Sequence, residues 1–441
     1  MDRGRRSHRG TSCRERILNS TTGRAAAAAG GGPTARLLDE TLGSVVTWID
    51  SPDAATDGPL AGMRIGVKDN IDVAGVPTTC ASRFFSDHIA PAHADVVGRL
   101  IAAGAQITAK LNMAEFAVGV TSQNSAAGPV RNPWDPTRVP GGSSGGSGAA
   151  VAAGLVDASL GTDTGGSVRL PASACGITGL RPTWGSISNA GVFPVSDAFD
   201  TVGPMARSVT EVARLFDVLR TGPRTAVAPT RRIGVPAVFF TDDVDAAIAD
   251  AVDTTARHLG TLGYKMVPVT IPGAADAQDI VYTLLYSELA QLHQDRISRS
   301  PELFQPATLE RVSLGLQITD GQRAHALTAL SAFRRGLASV FADVDAVLTP
   351  TMPVDVPLIE APDTVVAQSR RLGQFSYPWS LHDGPTLAIP VGFHPMSDMP
   401  IGAQLTAAAG YEELLFAVGR AFQRTTEWHL ARPPLNVAAD T

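Results

Sequence analysis

Residues Gly141–Arg181 read GGSSGGSGAAVAAGLVDASLGTDTGGSVRLPASACGITGLR. Two Gly/Ser clusters, Gly141–Ser147 and Gly165–Ser167, flank a run of small apolar residues. Glycine allows backbone where no Cβ fits, and serine brings hydroxyls. Ala149–Leu155 reads as a tightly packed helix and Ala158–Gly161 as the end of a short buried strand. Pro171 suits the first turn of a following helix. The second cluster is therefore a strand-to-helix turn, with Ser167 at or near a helix N-terminus whose N–H groups attract negative charge. A flexible linker does not fit, because apolar packing residues follow each cluster at once. A phosphate loop does not fit either, because no Lys-Ser or Lys-Thr follows the glycines. Acyl transfer fits: a serine nucleophile with glycine N–H groups as oxyanion hole.

Working outward, Met63–Val67 is an apolar strand ending at Lys68-Asp69-Asn70. Lysine occurs only at Lys68, Lys110 and Lys265, and arginine supplies the rest of the 36 basic residues. Where arginine is the default cation, each lysine needs its own reason. Gly66-Val67-Lys68-Asp69, Arg131-Asn132-Pro133-Trp134-Asp135 and the two Gly/Ser clusters together resemble the amidase signature family of serine hydrolases. The similarity runs from about Leu42 to Pro434.

The resemblance implies an α/β fold, an α/β/α sandwich with a large mixed central sheet covered by helices. It implies a triad of Ser167 as nucleophile, Ser143 as bridging serine after a cis peptide bond, and Lys68 as base. Backbone N–H groups of Thr164, Gly165, Gly166 and Ser167 would form the oxyanion hole. Ser144 and Asp163 are expected to hold the loops, and Arg169 to pair with an acid such as Asp163 rather than bind a substrate carboxylate. Lys110–Asn112 and Asn124-Ser125 match family positions and are read as scaffolding. Around Trp379–Pro385 the chain departs from the family, which usually has an Asn at the position of Ser380 and a Gly near Asp383. These positions are expected beside the acyl pocket.

The 441 residues, 44% hydrophobic and 18% charged, suffice for a sizeable core. Net charge of −6 speaks against a nucleic-acid surface. Cys13, Cys80 and Cys175 are sparse and unevenly spaced, as in reduced cytoplasmic proteins. No apolar run reaches the roughly 18 residues of a membrane span. Nothing spaces His or Cys for a metal, and no nucleotide loop appears, so no metal or organic cofactor is expected.

Residues 1–33, rich in Arg, Ala and Gly, are expected to be a disordered tail; no apolar stretch follows Arg5-Arg6 to make an export signal. Residues 34–441 are expected to form one catalytic domain, with folded structure from near Arg36 and a variable helical substrate-side region within 242–342. Val96, Val97, Leu100 and Ile101 mark a helix, Ala105–Ala109 a strand, and Ser208/Glu211 a capping box for a helix through Leu219. Gly222–Thr230 reads as a loop. A β-α-β unit follows at Ile233–Phe239, Val244–Leu262 and Tyr264–Val269, then helices at Asp279–Arg296 and Gly321–Phe341. Val344–Pro350 reads as a strand, while Gly373–Val391 and Met399–Gln404 resemble the family's C-terminal strands and Glu412–Trp428 its last helix.

The activity implied is hydrolysis of a small-molecule carboxylic amide to acid plus ammonia or amine, with no membrane and no direct nucleic-acid partner; a homo-oligomer is compatible with it. The alternative is the glutaminase-like A subunit of a tRNA-dependent amidotransferase, ranked second because the chain is short for that role. A silent binding member comes third, against which the intact Lys68, Ser143 and Ser167 stand. A Ser-His-Asp hydrolase is distant, because Arg169 occupies the second glycine position of the Gly-x-Ser-x-Gly elbow.

Overall fold

A computed structural model describes residues 31–50, 57–223, 231–359 and 365–435. Cys13, residues 1–30 of the expected tail and most of the loop expected at Gly222–Thr230 lie outside them. In chain order the elements are α1 (Pro33–Leu42), β1 (Val45–Trp48), β2 (Arg64–Lys68), α2 (Asp95–Ala102), β3 (Gln106–Leu111), α3 (Gly145–Ala153), β4 (Ala158–Asp163), α4 (Arg169–Cys175), β5 (Thr178–Arg181) and β6 (Thr201–Ala206). Then come α5 (Val209–Leu219), β7 (Arg232–Pro236), α6 (Ala246–Thr261), β8 (Lys265–Val269), α7 (Ala277–Arg299), α8 (Pro306–Gly315), α9 (Asp320–Asp343) and β9 (Ala346–Pro350). The last are α10 (Val365–Leu372), α11 (Tyr377–Leu381), β10 (Thr386–Phe393), β11 (Pro400–Ala407) and α12 (Glu412–Gln423).

Eleven strands form one sheet in the order β1-β3-β2-β4-β6-β5-β10-β11-β9-β7-β8. It is mixed: β2 runs parallel to β3 and β4, β7 parallel to β8 and β9, and the strands from β4 through β11 to β9 are antiparallel. Helices cover both faces. On one, α2, α5, α6 and α12 press Leu100, Phe216, Val252 and Phe416 onto Val67, Leu160 and Leu405. On the other, α1, α3 and α4 pack Leu42, Val151 and Ala172 over Leu111 and Met205, while α7, α9 and α11 pack Leu284, Phe333 and Trp379 near Val347. This is the expected α/β/α sandwich, and its central strands are buried on both sides for that reason.

Strand alternation aims the key side chains. In β2, Ile65 and Val67 enter the first core, which turns Gly66 and Lys68 to the opposite face. In β4, Ala158 and Leu160 do the same and leave Ser159, Gly161 and Asp163 facing α3 and α4. Because β2 and β4 are parallel, Lys68 and Asp163 both lie at carboxyl ends, where open α/β sheets form their crevices.

Several boundaries differ from expectation. Helix α1 starts at Pro33, three residues before Arg36, because Gly32 O already accepts from Ala35 N and Arg36 N. Helix α3 starts at Gly145, not Ala149, with Ser144 O accepting from Gly148 N at 3.1 Å. The segment expected to be strand from Gly373 begins with the short helix α11, and β10 starts only at Thr386. Helix α12 ends at Gln423, since the hydroxyls of Thr425 and Thr426 turn back to Phe422 O. The capping box at Ser208 and Glu211 is present.

Candidate active site

Lys68 is fully buried, and its Nζ donates to Ser143 Oγ at 2.7 Å and to Thr162 Oγ1 at 2.8 Å. Among the described residues no carboxylate lies within 4.0 Å of it. Burial pushes the amine down to about 7, against the pull of Asp200 and then Asp163. The Gly142–Ser143 peptide bond is cis, as the resemblance implied. Ser143 O is held by Ala114 N at 3.1 Å and by Ser122 Oγ at 3.3 Å.

The second cluster is built on Asp163. Its carboxylate accepts from Gly166 N at 2.9 Å, Val168 N at 3.1 Å and Arg169 N at 3.4 Å, which curls the chain into α4. Arg169, fully buried, closes on the same carboxylate through Nε and Nη2, each at 3.0 Å. Its remaining donors reach Ser376 O and Ser380 Oγ. Burial opposes ionisation of Asp163, but Arg169 and then Arg181 outweigh it and hold the carboxyl well below the usual range.

Ser167 sits between this loop and the first cluster, 5% exposed, with its carbonyl accepting from Ser144 N at 3.3 Å. Ser144 Oγ also donates to Thr162 O at 3.2 Å, so the two loops are tied together beside Lys68. Of the four expected oxyanion donors, Gly166 N is committed to Asp163. The N–H groups of Thr164, Gly165 and Ser167 have no acceptor among the described residues. Gly165 O instead accepts from Ser376 Oγ at 2.6 Å, which fixes the orientation of that peptide. Gly166 has φ +126, and a Cβ there would collide with Ser376 Oγ.

A family model for Amidase matches residues 45–416 of this chain. The chain belongs to the amidase signature family. The glutamyl-tRNA(Gln) amidotransferase A subunit of Chloroflexus aurantiacus is 37% identical over 421 residues, covering 86% of each chain. The crystal structure of the corresponding A subunit from Thermotoga maritima superposes with a TM-score of 0.80 at 29% identity, over 91% of this chain and 93% of that one. The crystal structure of an amidase gives 0.78 at 31% identity, over 89% and 96%. This amidase-family hydrolase acts on carbon–nitrogen bonds.

At the two departures from the family pattern, Ser380 Oγ, buried, accepts from Arg169 Nη2 at 2.8 Å and so joins the buried charge network. Asp383 pairs with Arg334 at 2.5 Å, partly exposed. His382 stacks on Phe341 and bonds Ala407 O, a packing role as expected. Lys110 pairs with Asp69 at 3.0 Å with both side chains buried, and Ser125 Oγ donates to Asn112 Oδ1 at 2.7 Å.

Sequence reading missed Thr162, which holds Lys68, Asn70, which donates to Thr162 Oγ1, and Ser122, which holds the Ser143 carbonyl. It also passed over Asp200 and Arg181. A polar residue in an otherwise apolar strand end, such as Thr162, was the available signal. A cleft of about 660 Å³ between α7 and α9, lined by Ile280, Ala329 and Phe333 among others, includes none of Lys68, Ser143 and Ser167. Among the described residues no group of three or more His, Cys, Asp or Glu is placed to hold a metal ion, and no helix is long and apolar enough to cross a membrane.

Proposed function

We propose that the protein hydrolyses a small carboxylic amide to the acid plus ammonia or an amine, through an acyl-enzyme on Ser167. The observation that carries this is the buried Lys68 amine, unpaired by any carboxylate among the described residues and in hydrogen-bond contact with Ser143. An amine held near neutrality accepts a proton that a surface lysine would refuse. Ser167 Oγ attacks the carbonyl carbon, and its proton passes through Ser143 to Lys68. The developing oxyanion is met by the Gly165 and Ser167 N–H groups. Collapse breaks the C–N bond, and the proton returns from Lys68 through Ser143 to the leaving nitrogen. Water then attacks the seryl ester by the same relay. No step calls for a metal or an organic cofactor. Two buried free thiols, Cys80 and Cys175, suit a reducing cytoplasm.

A second reading, the glutaminase-like A subunit of an amidotransferase, is favoured by the curated relatives, such as the Chloroflexus protein, which this chain matches over 86% of its length. Purified protein alone, given a panel of amides that includes glutamine, separates the two. Ammonia from several simple amides supports the first; ammonia from glutamine alone, and only with added partner subunits, supports the second. A fluorophosphonate probe should add one adduct on the peptide containing Ser167, lost in Ser167→Ala. Labelling that persists in the folded alanine variant removes Ser167 from the role.

A further inference from the structure

Four charged side chains crowd the carboxyl end of β4 behind Lys68, and their signs cancel. Asp163 and Arg169 form one neutral pair through two contacts of 3.0 Å. Arg181, at the end of β5, is 1% exposed. Its Nη1 lies 3.3 Å from Asp163 Oδ1 and 3.4 Å from Thr201 Oγ1, and its Nη2 donates to Ser380 O at 3.3 Å. Its Nε is buried with no partner among the described residues. Asp163 is thus one carboxylate facing two guanidinium groups.

The balancing anion is Asp200, the residue before Thr201. It accepts from Thr164 Oγ1 at 2.5 Å, Val195 N at 2.7 Å and Ser196 N at 3.0 Å, the set of donors an ionised carboxylate takes. Its carboxyl is raised from the ordinary value, because burial outweighs those three donors and the Lys68 charge. Two carboxylates thus face two guanidinium groups in this cluster, and burial is the largest influence on the Lys68 amine. Asp200 and Asp163 both pull Lys68 toward the ammonium form. Burial lowers Arg181 only to about 10, so it keeps its charge throughout the working range.

Other titratable groups lie near this cluster. Burial pushes the Cys80 thiol well up, Asp72 pushes it further, and Asp69 close by is paired with Lys110. Glu288 on α7 lies near Asp200, and burial raises its carboxyl.

We propose that Arg181 and Asp200 are positioning residues of opposite sign acting on one proton, the proton of Lys68, and so set the pH at which the base becomes available. This rests on the reading of Lys68 as base. If Arg181 loses its charge, a surplus negative charge stays beside the amine and holds its proton to higher pH. If Asp200 loses its charge, the surplus is positive and the proton leaves earlier. A buried charge close to an amine moves it by roughly one unit or more.

The test is the second-order rate of Ser167 labelling by a fluorescent fluorophosphonate from pH 5 to pH 10, in wild type, Arg181→Gln, Arg181→Lys and Asp200→Asn, each checked for a cooperative melt. The acid limb should rise by about one pH unit in Arg181→Gln, which makes labelling about tenfold slower below the limb and near wild type at the alkaline plateau. It should fall by a similar amount in Asp200→Asn and stay near the wild-type position in Arg181→Lys, whatever that variant's plateau. Loosened packing does not move the limb in opposite directions. Limbs that stay in place while the rate drops at every pH overturn the inference, as do limbs that move the same way. Should Arg181→Gln not fold, an unmoved limb in Asp200→Asn overturns it alone. Undiminished labelling of folded Lys68→Ala instead brings down the base assignment, which is a different failure.

Discussion

At Lys68, the chain places an amine where an always-charged side chain would be unable to do the work. Arginine keeps its proton at any pH a protein survives, so Lys68→Arg should be as inactive as Lys68→Ala while remaining folded. Substantial turnover by folded Lys68→Arg would make the lysine structural. The sign of the pH dependence follows from the amine's shift to about 7. Below that value Lys68 is protonated and accepts nothing, so the wild-type rate should rise through an apparent pKa near 7 and level off above it. That limb belongs to the coupled Lys68–Ser143 unit, not to one group. A rate that falls with pH over this range contradicts a neutral lysine as acceptor.

At the scale of elements, the catalytic loop depends on how closely α3 approaches β4. Ser147 Oγ donates to Leu160 O at 3.1 Å, and Ser159 Oγ to Ser147 O at 3.0 Å, so helix and strand are joined by hydroxyls rather than by apolar bulk. Gly161 makes this approach possible: a Cβ there would lie 2.8 Å from Ser144 Oγ. Gly161→Ala should therefore lower stability by about 1–3 kcal/mol and displace Ser144, with a larger loss in Ser167 labelling than in melting temperature. Equal stability and equal labelling would mean that the loops tolerate a wider spacing. The glycines that allow the contact also explain what was and was not legible. Apolar alternation in Met63–Val67 and the stripe at Val96–Ile101 are local signals, and both elements stand where the sequence put them. Gly145–Gly148 reads as loop from propensity yet is helix, because burial outweighs a cost of about 1 kcal/mol per glycine. Family motifs singled out Lys68, Ser143, Ser167, Asp163 and Arg169 as one group. Thr162, Arg181 and Asp200 carry no motif of their own; their roles come from long-range register, Asp163 opposite Thr201 and Lys68 at the end of a parallel neighbour.

For the molecule as a whole, the site works against stability. A lysine near 7 when folded and near 10.4 when unfolded takes up fewer protons in the folded state between those values. Its cost to stability is therefore full below about pH 7 and shrinks as pH rises toward 10.4. Lys68→Met should melt above wild type at pH 6–7, by a few kcal/mol of added stability, and the gap should close near pH 10. A variant that melts lower at pH 7 would show that the amine's hydrogen bonds outweigh its desolvation. The sheet that carries this cost also hides most of the chain's lysine. Lys68 and Lys110 lie fully buried in β2 and β3, near one end of the sheet, and Lys265 is exposed at the start of edge strand β8 at the other. A protease that cuts only after lysine therefore finds one open bond among the described residues of the native protein. Cleavage after Lys68 or Lys110 waits for the sheet itself to part, so the rates of the three cuts separate fraying at one edge from global opening, without a label or a substituted residue.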